Sequence, residues 1–186
     1  MKKSFQVLGV VLFVALFSLT SNAQDYGVFG GFNSSEFDSS VSWDREFGIE
    51  VGATANIGLQ DNLSIRTGAG IVTKSSTSKN FGSKTELSMT YLEIPATLFY
   101  AATETIGFFG GLNLDLKIAD DCEVGGRDCD PDTETIVINL PLGARFNIQD
   151  EHNIEPILEL GVTDLADDVK LGNSLSIRYI YMFGKQ

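Results

Sequence analysis

The chain has few of the side chains that most often do chemistry. Its 186 residues include one histidine and two cysteines. With a single imidazole, His152, no nucleophile, base and orienting acid come together, and His152 reads as a solvated turn residue. The sequence predicts neither an enzyme nor a cofactor. Basic residues are scarce too, with 13 Lys and Arg against 25 Asp and Glu and a net charge of −12. Such a surface repels phosphate backbones, which excludes nucleic acid as a partner. Beyond the first two dozen residues no stretch approaches 18 consecutive apolar residues, so no membrane-spanning helix is predicted there. No glycine-rich phosphate cradle precedes a helix. The pairs Gly30-Gly31, Gly110-Gly111 and Gly125-Gly126 fall in strands or in the cysteine loop.

Lys2-Lys3, an apolar run from Phe5 to Leu19 and the small-residue site Ser21-Asn22-Ala23 together read as a secretory signal peptide. Residues 1–23 are therefore expected to be removed, leaving one domain over 24–186. Without Lys2 and Lys3 the balance is 11 basic against 25 acidic residues. Export takes Cys122 and Cys129 into an oxidising compartment, so a local disulfide is expected, with Gly125-Gly126 making the tight loop feasible. No His or third Cys stands nearby to make a metal pair of them. The run Asp128-x-Asp130-x-Asp132-x-Glu134 has a calcium-like spacing of carboxylates. It lacks the glycine and distal Glu of an EF-hand loop and reads mainly as a solvated acidic loop, with weak calcium binding as the alternative.

Alternation is what the sequence has in abundance. Leu92, Ile94, Ala96, Leu98 and Tyr100 alternate with Tyr91, Glu93, Pro95, Thr97 and Phe99. After a polar break, Ile106, Phe108, Leu112, Leu114, Leu116 and Ile118 continue the apolar row. Period-two patterning of this length means strands. The same pattern predicts strands over 25–33, 45–59, 63–73, 91–100, 106–118, 136–148, 154–163 and 175–183. Their connections alternate long and short, and 74–90 is a long polar one. The fold class is all-β, an eight-stranded antiparallel up-and-down barrel that crosses a membrane, with four long loops at one end.

Alternation alone also fits a soluble lipocalin-like barrel with an apolar cavity. Three features favour apolar side chains outside. The polar rows are rich in glycine, which suits the crowded lumen of a small barrel. Their charges nearly balance: Glu50, Glu93, Asp115, Glu155 and Glu159 face Arg66, Lys117, Arg145 and Arg178, as a buried network requires. Aromatic residues lie near strand ends on the apolar rows, at Tyr26, Phe32, Phe47, Tyr100, Phe146 and Phe183, where interfacial girdles belong. A lumen packed in this way is too narrow for a channel.

The stretches GIEVGATANIGLQDNLSIRTGAGIV, YLEIPATLFY and GFFGGLNLDLKI resemble the small outer-membrane beta-barrel domain family of Gram-negative bacteria, the porin-family and OmpA/OmpX-like proteins. The resemblance spans the mature chain. It implies an outer-membrane location, a lipid environment and a monomer. Tyr179-x-Tyr181-x-Phe183 is similar to the C-terminal aromatic signal read by the barrel-assembly machinery, although Gly184-Lys185-Gln186 follow it. A structural, adhesive or interaction role with an extracellular partner is then expected of the loops.

Overall fold

The computed structural model describes residues 25–38, 43–80, 83–129, 133–149, 151–166 and 169–183. Eight long strands make the fold: β1 Asp25–Asp38, β2 Asp44–Gln60, β3 Leu63–Asn80, β4 Ser83–Ala101, β5 Ile106–Val124, β6 Ile136–Gln149, β7 His152–Gly161 and β8 Val169–Phe183. Each pairs antiparallel with the next, and β8 returns to β1 in a register running from Tyr26↔Phe183 to Asp38↔Lys170. That last pairing closes the sheet into a barrel, so none of the eight strands presents a free edge. No helix occurs among the described residues.

Side-chain direction follows the predicted rows, with the apolar rows outside. Phe47 is 82% exposed, Ile49 64% and Val51 59%, while Glu50 between them is buried. A soluble carrier with an apolar cavity would place these rows inside, so the lipocalin-like alternative does not describe this chain. The belt is about 25 Å tall, from roughly 3.3 Å per residue along tilted strands. Tyr26, Tyr100, Phe146 and Phe183 rim it at the short-turn end, with Phe32 and Phe47 toward the other.

The strands run well past this belt, which corrects the expectation of four long loops. Residues 74–90 form strand to Asn80 and again from Ser83, paired from Thr73↔Thr90 out to Asn80↔Ser83. β5 continues beside them to Val124, pairing Thr85↔Val124. Beyond the lipid the strand faces exchange chemistry. Ser88 and Thr90 point outward, while Leu87, Met89 and Tyr91 point in. They join Phe37, Val137, Leu165 and Leu171 in an apolar cluster that fills the upper lumen. Once water replaces lipid outside, apolar side chains are driven inward again, at about 1.5–3 kcal/mol for each one fully buried.

The disulfide forms as expected, between Cys122 at the end of β5 and Cys129, with Cα atoms 5.1 Å apart. Gly125 and Gly126 make the turn with φ of 58° and 80°, a left-handed conformation that side chains with a Cβ rarely adopt. The short strand Arg127–Asp128 pairs back onto Glu123 and Val124. Asp128 and Glu134 are exposed, and Asp130 and Asp132 of the candidate calcium run lie outside the described residues.

Candidate functional site: a layered lumen

Three charged clusters fill the middle of the barrel. Nearest the short turns, the carboxylate of Glu155, fully buried, accepts from Arg66 Nη2 at 2.7 Å and from Arg145 Nε at 2.6 Å. Above it, Arg178 donates to Glu50 through Nε at 2.8 Å and Nη2 at 3.0 Å, and to Glu93 through Nη2 at 2.8 Å. In the third cluster the Lys74 ammonium donates to Asp115 at 2.7 Å and to Glu159. Asn139 and Asn113 donate to the same two carboxylates at 2.7 and 2.9 Å. Charges this deep must be paired, and each of these has an opposite charge within hydrogen-bonding distance.

Each cation of these clusters also has an aromatic ring beside it. The guanidinium carbons of Arg66, Arg145 and Arg178 each lie 4.6 Å from a ring centroid, of Phe109, Phe99 and Phe29 respectively. Lys74 Nζ lies 5.7 Å from the Tyr91 ring. Cation–π attraction strengthens when water is excluded, reaching about 2 kcal/mol. The lumen glycines make room for these rings. A Cβ on Gly143 would sit 2.3 Å from the Phe109 ring, one on Gly107 2.3 Å from Phe99, and one on Gly52 or Gly70 2.7 Å from Phe29. Gly143→Val is therefore expected to displace Phe109 from Arg66 and cost about 1–3 kcal/mol. A lowered urea midpoint for the refolded barrel in lipid vesicles checks this.

Eight of the nine charged residues expected in the lumen network are in these clusters. Lys117 is not. It is part-buried at the belt edge, where Nζ donates to the Thr133 carbonyl at 3.1 Å and pairs with Asp120 at 3.3 Å. Lys74 takes its place, so five carboxylates still face four cations. The pattern held the signal, because Arg66, Gly68, Gly70, Val72 and Lys74 share one face of β3, but the polar run beginning at Lys74 reads locally as loop. Glu155 pairs with Arg66 and Arg145, whereas Glu159 pairs with Lys74. The oxygens of Glu93, Asp115 and Glu159 come within 4.8 Å of one another. The Lys74 ammonium already supplies the positive charge that such a cluster needs. His152 is not simply solvated. Its Nδ1 meets the Tyr179 hydroxyl, and its ring packs edge-on to Tyr181 at 5.3 Å, within the girdle at the short-turn end.

The lumen is thus blocked at two levels, by the charged clusters and by the apolar cluster above them. The short-turn end opens into a vestibule of about 540 Å³. A barrel that is apolar outside and ionic within suits a lipid bilayer. The sequence model of the outer membrane protein beta-barrel domain matches residues 8–183. The chain belongs to that family. Its place is the outer membrane. Solved structures agree on the fold. Ail, the attachment invasion locus protein of Yersinia pestis, crystallised with the heparin analogue sucrose octasulfate, is similar at a TM-score of 0.61 and 12% identity, over 86% of this chain and 98% of that one. Neisserial surface protein A is similar at a TM-score of 0.53 and 14% identity, over 84% and 95%. No curated protein matches the chain.

Proposed function

We propose that this outer-membrane barrel acts through the surface of its strand extensions, as a non-enzymatic interaction protein, and conducts no solute through its lumen. The observation that carries this reading is the double block of the lumen beneath a wall of paired strands that rises clear of the lipid belt. The partner should be cationic. Residues 117–135 carry seven acidic and two basic residues. Asp120, Asp121, Glu123, Asp128 and Glu134 are all exposed. Hydrogen bonding to Glu86 holds the Lys84 ammonium above its ordinary pKa, so even that cation is locally neutralised. Clustered charge of one sign steers an oppositely charged partner and rejects like-charged ones. Ail is crystallised with a sulfated polyanion, and the acidic extensions of this chain would repel such a ligand. In the same reading residues 1–23 are a cleaved export signal, the extensions face outward, the barrel is a monomer, and the aromatic end of β8 serves barrel assembly.

The test uses the refolded barrel in bilayers. Stable single-channel conductance is expected to be absent. A lysine-rich peptide should bind, with affinity falling as salt rises, and sucrose octasulfate should not. A stable open channel, or binding of the polyanion with no binding of the peptide, would reverse the proposal.

A further inference from the structure

The charges of the lumen are not evenly spread along its axis. Glu50, Glu93, Asp115 and Glu159 share only Arg178 and Lys74 as cations. Nearest the short turns, Arg66 and Arg145 share the single carboxylate of Glu155. That second group carries one more positive charge than negative, in a place where charge is costly to hold unbalanced. Its hydrogen bonding is incomplete in the same sense. Arg66 Nη1 and Arg145 Nη2 are buried donors without partners.

The two arginines face different spaces. Arg66 borders a void of about 10 Å³, together with Thr97 and Asn113, whose Oγ1 and Oδ1 also lack partners. A void of that size can hold one water. Arg145 borders the vestibule instead, a space of a size that holds small ligands. Its guanidinium is fixed between Glu155 and the Phe99 ring, so little ordering remains for a ligand to impose. Around it stand Asn56, Asn147 and Asn153, with Asn56 Oδ1 buried and unpartnered. An Asn side chain can turn its amide to offer N–H as readily as C=O. Asp25, Asp61 and Glu104 line the outer part of the vestibule. They act against highly charged ligands.

We infer that the vestibule at the short-turn end is a binding site for a small oxyanion, a carboxylate or a phosphate, seated against Arg145 directly or through one water. The anion supplies the missing negative charge of the Arg66–Glu155–Arg145 group. The site is independent of whatever the acidic extensions bind at the other end.

Titration of the refolded barrel in detergent micelles with sodium acetate, and separately with sodium phosphate, at constant ionic strength set by chloride, tests this. Saturable shifts are expected in the Arg145 Nε–H signal and the Asn147 and Asn153 amides, with a midpoint on the order of 1 mM. The better-bound salt identifies the class of anion. Arg145→Gln should abolish saturation. Asn147→Asp leaves the buried pair intact, adds a like charge beside the anion, and should weaken binding at least tenfold. Linear, non-saturating shifts with both salts overturn the inference, as does a response unchanged in Asn147→Asp.

Discussion

Lys74→Met is expected to lower the unfolding free energy of the barrel by about 3–5 kcal/mol, the usual effect of removing one partner from a buried ion pair. Lys74 is 2% exposed and stands between two carboxylates, Asp115 and Glu159, that are themselves out of water. Methionine fills similar volume, so the lost packing is small and the loss is electrostatic. Asn139 and Asn113 would still donate to those carboxylates but cannot neutralise them. The third carboxylate, Glu93, is held by Arg178 on one oxygen only, and its Oε2 has no partner. The check is urea-driven unfolding in vesicles, read by the gel shift between unheated and heated samples. Lys74→Met with Glu159→Gln should recover a large part of the loss, because the pair and not the lysine is the stabilising unit. A single-mutant loss below about 1 kcal/mol would mean that solvent, and not Lys74, neutralises the cluster.

Lys74 also marks where the sequence stops being easy to read. Within the bilayer, two solvents sort the side chains cleanly: lipid takes Leu112 and Ile177, and the lumen takes Arg66 and Glu155. The contrast between rows is then large, and strand, barrel and facing could all be read from alternation. At the belt edge the outer solvent becomes water. Ser88 and Thr90 now face out and Leu87 and Met89 face in, so the sign of the alternation reverses within a single strand. A reading that follows one apolar row ends at that reversal and assigns loop, as it does for residues 74–90. The eight intramembrane charges were legible because they interrupt an apolar alternation. Lys74 was not, because its neighbours Ser75 to Ser78 are polar on both faces. Lys117 erred in the opposite direction: it has lumen parity, but Thr133 and Asp120 hold it at the belt edge. The pairing of rings with guanidinium groups was also hidden. Phe29, Phe99 and Phe109 have the right parity, but which arginine each one covers depends on strand stagger, which no single strand reveals.

Replacing Leu112 with Arg is the test that separates a lipid-facing row from a merely exposed one. Leu112 is 50% exposed near the middle of the belt on β5 and pairs with Ala96 across β4. In a soluble protein a charge at so open a position changes stability within about 0.5 kcal/mol. Against the bilayer midplane it should cost about 2–4 kcal/mol, because the guanidinium must reach the headgroups or draw water inward. Depth makes the comparison decisive. Ile148 is 59% exposed at the end of β6, beside the short turn to β7. An arginine there reaches the interface easily and should cost about 0–1 kcal/mol. Equal exposure with unequal penalty is the signature of a lipid solvent, since water would treat the two sites alike. Refolding yield into vesicles and the urea midpoint should both fall for Leu112→Arg and stay near wild type for Ile148→Arg. Equal, small effects at both positions would mean that the outward row meets water, and the membrane assignment would fail with it.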